Sequence, residues 1–353
     1  MKGIPAAETV KRRMSVAAKS LGVADPTEFV GGLIDRSFPL PLGDEKVAHN
    51  ALMPGYAPAQ PRFRTGDGDV LRFVIEPLGP ESSPVTRRHE ATRELRRLVR
   101  PTFGPDALRY FDKRSEEWRG MSSISRLDYG AWFGTAYDQN GLKSASVTYE
   151  LHPWQLNALP ASLARLVVAA TDSLPTLSPL FTSIAVAKDA GNHGVTFMHR
   201  GALRLNNLEP LMNRLGLAHQ LPGVMQVVGL TLGGRFHLPD GSVLLGLAET
   251  PEGPELKLEI MLGRLPDVPQ SFLDLLALGL SERPRELRAL VRWLQAFTPE
   301  DGGSAGEISI LSIRTTPRMA PRVALHLRPV EFEVGRRRER DEEEVDEREL
   351  ATA

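Results

Sequence analysis

Five tight-turn signals, each flanked by segments that alternate apolar and polar residues, constrain this chain more than any other feature. They are RTGDGDV (64–70), DQNGLK (138–143), AGNHG (190–194), TPEGPE (250–255) and TTPRMAP (315–321), with Asp67-Gly68 and Asn140-Gly141 as turn dipeptides. A short turn can join neighbouring strands only in antiparallel fashion, so each signal marks a hairpin. Between the hairpins lie helical patterns at 86–99, 155–173, 207–217 and 268–297, the last broken near Pro284, and 6–38 also reads as helix. Segment 224–241 reads as a further strand or an insertion. Ten or so antiparallel strands left as an open sheet would be unusually wide. The expected fold is therefore α+β: a closed antiparallel barrel of about ten strands surrounded by a ring of helices.

The alternation assigns the two faces. Leu256, Leu258, Ile260 and Leu262 share one face of their strand, and Glu255, Lys257 and Glu259 the other. Val323, Leu325 and Leu327 oppose Arg322, Ala324, His326 and Arg328, while Leu71, Phe73 and Ile75 oppose Arg72, Val74 and Glu76. The apolar faces call for helices, and the polar faces then line a lumen that can hold a ligand.

Composition narrows the function classes. The chain has 353 residues, 41% hydrophobic and 25% charged, with a formal net charge of −1, which is ample for a large core. It lacks the basic excess of a general nucleic-acid binder. Without cysteine there is no disulfide or thiolate site. No secretory core follows MKGIPAAETVKRRMSV and no apolar run is long enough to span a bilayer, so a cytoplasmic protein without membrane partners is expected. One domain is expected over 1–335, with N-terminal helices in 1–50 and hairpin–helix repeats in 60–334; the mixed-charge segment 336–353 reads as a disordered tail.

Isolated motifs carry little. Gly302-x-Ser304-x-Gly306 has nucleophile-elbow spacing, but a helix precedes it and a strand follows, the reverse of what the elbow requires. His193 and His199 are poorly spaced to share an ion, and no metal site is expected. Glu150 and Glu259 could face each other across the lumen as an acid/base pair, or each could pair with a nearby Arg or Lys. Trp132, Tyr149, Phe197 and Trp293 are candidates for core packing as much as for a site, with Tyr149 alternating onto the helix-facing side.

The stretches LRFVIEP (71–77), SVTYELHP (146–153), GVTFMHRG (194–201), ELKLEIML (255–262) and RVALHLRPVEFEV (322–334) resemble, in order and spacing, strands of the ABBA or PT-barrel aromatic prenyltransferases. The likeness is to the indole, dimethylallyltryptophan synthase-like branch. It implies a metal-independent enzyme of natural-product metabolism without cofactors, a monomer or homodimer. Its partners would be a prenyl diphosphate and an aromatic small-molecule or peptide acceptor. The resemblance places Arg72 and Lys257 at the diphosphate, His326 at a shielding tyrosine, and Glu150 or Glu259 at the acceptor. It also places Thr148, Thr196 and Met198 at lumen positions where the family carries lysine or tyrosine. The general-base glutamate falls near Pro58–Gln60, where no carboxylate stands. Two other readings remain: a barrel repurposed to bind, isomerise or cyclise a small hydrophobic metabolite, and a non-catalytic partner protein.

Overall fold

The computed structural model describes residues 4–119 and 127–335; the expected tail at 336–353 lies outside them. Three helices come first, α1 (Ala6–Leu21), α2 (Thr27–Ser37) and α3 (Glu45–Ala48). The first hairpin is β1 (Ala59–Arg64) with β2 (Leu71–Ile75), followed by α4 (Pro84–Phe103) and α5 (Pro105–Arg119). The second hairpin, β3 (Ala131–Asp138) and β4 (Gly141–Glu150), leads to α6 (Ala161–Ser173). The third is β5 (Leu177–Ala187) with β6 (Gly191–His199), then the short β7 (Leu203–Arg204), α7 (Glu209–Arg214), α8 (Leu221–Thr231) and β8 (His237–Leu238). The fourth, β9 (Val243–Thr250) and β10 (Gly253–Met261), precedes α9 (Phe272–Gly279) and α10 (Pro284–Phe297). The fifth is β11 (Gly306–Thr316) with β12 (Met319–Pro329).

Ten of these strands form one closed antiparallel barrel in the order β1-β12-β11-β10-β9-β6-β5-β4-β3-β2. Closure is made by the first and last strands, with Arg62, Phe63 and Arg64 opposite His326, Leu325 and Ala324. All five expected hairpins are present. Segment 224–241 adds no barrel strand but belongs to an insertion between β6 and β9: it forms most of α8 and the return strand β8, which pairs with β7. Its apolar residues Val224 and Val228 are four apart and both buried, a helical spacing rather than an alternating one.

Helices wrap the barrel because each carries an apolar stripe that must leave water. On α10, Ala289, Leu290, Trp293, Ala296 and Phe297 are buried, and Trp293 meets Phe63 of β1 with ring centroids 5.6 Å apart. Pro284 starts that helix at a position where no N–H is required. On α4, Ser83 caps the first turn by accepting from the Thr86 N–H, and Thr92 hydrogen-bonds the Tyr149 hydroxyl at 2.8 Å. Tyr149, Phe197 and Trp293 are thus helix–barrel core, each fully buried. Among the described residues no helix is long and apolar enough to cross a membrane.

His193 faces this layer too. It bonds Thr182 at 2.8 Å, lies edge-on to Trp118, and is pushed down to about 4 from an ordinary 6.5 by burial and then by Arg114. Between those values the unfolded chain holds a proton that the folded chain refuses. This group's contribution to stability is therefore complete above pH 6.5 and lost as pH falls toward 4. Urea midpoints compared across that window are expected to fall more steeply for the wild type than for His193→Gln. Equal slopes would show that the imidazole is protonated without cost.

Candidate functional site

Alternation turns one face of every barrel strand inward, and the lumen so formed has three tiers. The tier farthest from the mouth is packed with charge. Asp67, in the first hairpin turn, pairs with Arg64, with Arg72 at 2.8 Å and with Lys143 at 3.2 Å. Burial opposes its ionisation, but Arg72, Arg64 and Lys143 outweigh burial and hold Asp67 down to about 2. Arg314 pairs with Glu255 at 3.4 Å. These long side chains fit because the strands opposite are small on the inside. Gly134 neighbours Ser146, Ser146 neighbours Ala185, and Gly194 neighbours Ala248. Gly246 shows the constraint directly, since a Cβ there would stand 2.7 Å from Lys257 Cε.

Above this plug lies a cavity of about 450 Å³. Its floor is a cluster of four ionisable groups. Lys257 Nζ lies 3.1 Å from Glu259 Oε2, and His326 Nε2 lies 3.8 Å from Glu259 Oε1. Arg62 stands directly across the β1–β12 pair from His326. Burial lowers Arg62 to about 10, against the pull of Glu259, and lowers Lys257 as well. Burial also takes His326 well below its ordinary range, with Arg62, Lys257 and Arg314 adding to the effect, so the ring is neutral. Gln60 accepts from Arg62 at 3.4 Å and donates to Ser309 at 3.3 Å, which steadies the β1 side of the floor.

The upper wall is aromatic on one side. Trp132 and Phe181 have centroids 4.5 Å apart, and Tyr129 stands 5.8 Å from Phe181. Thr148, Thr196 and Met198 share the wall, with Thr148 bonded to Ser183 at 2.8 Å. At the mouth are Arg264 and Arg328, the latter 5.5 Å over the Tyr56 ring.

Six of the residues that the resemblance placed in the site therefore meet in one cavity, Thr148, Thr196, Met198, Lys257, Glu259 and His326, joined there by Trp132. Two do not. Arg72 is below the cavity, bound to Asp67, because the turn delivers a carboxylate to it. Glu150 is outside the cavity lining. Its carboxylate accepts from the backbone N–H groups of Asp128 at 3.0 Å, Tyr129 at 2.7 Å and Gly130 at 2.9 Å. It holds the loop that presents Tyr129, and it forms no pair with Glu259. Gly130 is required in that loop: its φ is +83°, and a Cβ would come within 1.9 Å of the Pro84 carbonyl oxygen. Glu76 is a second such clamp, accepting from Ala51 at 2.9 Å and Leu52 at 3.0 Å beside Arg87. Loops on two sides of the mouth are thus tied to strand ends by buried carboxylates.

Sequence reasoning missed Arg62 and Arg314. Arg62 was readable from the alternation Gln60-Arg62-Arg64. Arg314 was not, because an irregularity between Ile308 and Ile310 shifts the strand's parity. The remaining motifs are structural. Ser304 hydroxyl bonds Gly306 at both its N–H and C=O, tying a surface loop. His199 bonds Thr176 and the Gly201 carbonyl, and among the described residues no group of acidic or histidine side chains could hold a metal ion.

No protein-family model matches this sequence, and no curated protein matches it. Solved structures do match its fold. The 6-dimethylallyltryptophan synthase from Micromonospora olivasterospora, in complex with DMASPP and Trp, superposes with a TM-score of 0.72 at 16% identity over 94% of this chain and 99% of that one. The 5-dimethylallyltryptophan synthase from Streptomyces coelicolor gives a TM-score of 0.67 at 17% identity, covering 93% of this chain and 98% of that chain. The prenyltransferase PriB in its apo form gives 0.71 at 17% identity, covering 94% and 98%. The chain has the PT-barrel fold of the ABBA-type indole prenyltransferases.

Proposed function

We propose that this PT-barrel protein is an aromatic prenyltransferase. It would move an allylic group from a prenyl diphosphate to an aromatic, indole-type small-molecule or peptide acceptor, within the lumen and with fixed cations rather than a metal facing the diphosphate. One observation carries the reading: buried Lys257 and Arg62 share a cavity with the aromatic wall of Trp132, Phe181 and Tyr129. A departing diphosphate needs preorganised positive charge. The allyl cation left behind needs π-faces and exclusion of water. The fixed charge and the π-faces line the same cavity. Structures of the same fold with dimethylallyl thiolodiphosphate and L-tryptophan support the choice of ligands.

In this reading Lys257 and Arg62 hold the diphosphate, and Arg72 and Arg314 reinforce them from below. Trp132 and Phe181 flank the allyl cation in place of tyrosines. Attack by the arene forms the new C–C bond, and Glu259 receives the ring proton. Gln60, near the expected base position, can only hydrogen-bond.

One observation favours the repurposed barrel instead. Glu259 stands among the cations, and a carboxylate about 4 Å from a phosphate charge costs about 4 kcal/mol at an effective dielectric constant of 20. Calorimetry with dimethylallyl thiolodiphosphate separates the two readings. Micromolar binding is expected; no binding up to millimolar concentrations would leave the barrel without a donor and favour a neutral metabolite.

A further inference from the structure

We propose that Glu259 and His326 act as one proton-holding pair, taking up a proton when the allylic diphosphate binds and passing it to the diphosphate as it leaves. The inference rests on the donor site proposed above and adds a catalytic role that fixed cations alone do not provide.

The geometry is that of a pair. His326 Nε2 faces Glu259 Oε1 at 3.8 Å, while its Nδ1 is buried without a hydrogen-bond partner in the structure. His326 is 4% exposed and Glu259 6% exposed, so solvent screens them only weakly. The charged groups around the ring are Arg62 on β1, Lys257 and Glu259 on β10, and Arg314 on β11, the last paired with Glu255 of β10. Burial first, and then Arg62, Lys257 and Arg314, keep the imidazole neutral while the lumen is empty. A multiply charged diphosphate entering beside Lys257 and Arg62 reverses that field. The cheapest response is to protonate the pair. The imidazolium then holds its proton on Nε2–H, the ring edge that faces Glu259 at the cavity floor, between the carboxylate and the incoming anion. The repulsion between Glu259 and the diphosphate is removed by the same proton.

The chemistry balances. When the allylic C–O bond breaks, its electron pair stays on the diphosphate oxygen, which accepts the His326 proton. The arene then forms the C–C bond, and the arenium carbon loses its proton to Glu259, refilling the pair. Release of protonated diphosphate returns the lumen to its empty charge state as the pair gives up its proton. The ring has thereby lost one proton and the diphosphate has gained one, with no other reactant.

The test is titration calorimetry with dimethylallyl thiolodiphosphate at about pH 8, where its phosphate is ionised, in buffers of different ionisation heat. The wild type is expected to take up about one proton per ligand bound. Glu259→Gln keeps the shape but needs no neutralisation: it is expected to bind several-fold more tightly, with uptake reduced to near zero, and to turn over more slowly. His326→Gln is expected to lose the uptake and to bind about tenfold more weakly, since Glu259 then stays charged. Binding by the wild type without proton uptake, or equal uptake by wild type and Glu259→Gln, would overturn this inference and leave the donor site standing. Failure of the wild type to bind at all would overturn the donor site, and the inference with it.

Discussion

Replacing Lys257 by methionine is expected to lower turnover of a prenyl diphosphate about 10²–10³-fold, the usual loss when a donor to developing negative charge is removed. Methionine keeps an unbranched stem over Gly246, where a Cβ would crowd residue 257, so the packing survives and only the charge is lost. The loss should appear in both diphosphate affinity and kcat, because the ammonium contacts the charge before and during bond cleavage. The variant also frees Glu259 from its 3.1 Å partner, so adding Glu259→Gln should restore part of the affinity. Unchanged binding of dimethylallyl thiolodiphosphate in Lys257→Met would remove this cation from the donor site. Together with unchanged binding in Arg62→Gln, it would leave the lumen as a site for an uncharged ligand.

Glu150→Gln is expected to cost about 3 kcal/mol of stability, although one atom type changes and no cavity forms. The carboxylate accepts three backbone N–H groups in a buried corner, whereas an amide can turn only one acceptor oxygen toward them and brings two donors of its own. Urea unfolding measures the loss. Hydrogen exchange at 128–130 should rise first, because those amides lose their partner directly. Glu259→Gln serves as the contrast: its carboxylate meets side-chain cations, not amides, and should cost far less. A loss below about 1 kcal/mol for Glu150→Gln would mean that water serves the loop equally well.

These two glutamates show how far strand alternation reaches. Both fall on inward parity, Glu150 in SVTYELHP and Glu259 in ELKLEIML, and from sequence they are equivalent candidates. Glu259 sits mid-strand, where β9 and β11 occupy the backbone groups on either side and the side chain can meet only other side chains in the lumen. Glu150 ends its strand beside a loop whose amides have no ladder partner, and they capture it. Arg72 likewise points inward as its parity requires, but Asp67 in the turn claims it. Arg62 had the same parity signal and met no such competitor.

Hairpin count, antiparallel pairing and the helix-facing side of each strand follow from local turn chemistry and a period of two, which are properties of neighbouring residues and so are written in the chain. Which inward side chains share a cavity is settled by register across strands distant in sequence, by the parity shift in β11, and by competition among backbone donors, turn carboxylates and lumen space. The pairing of Glu259 with His326, 67 residues apart, exists because β11 pairs with both β10 and β12 and brings their inward side chains together. Alternation supplied the candidates, and closure of the barrel decided which of them meet.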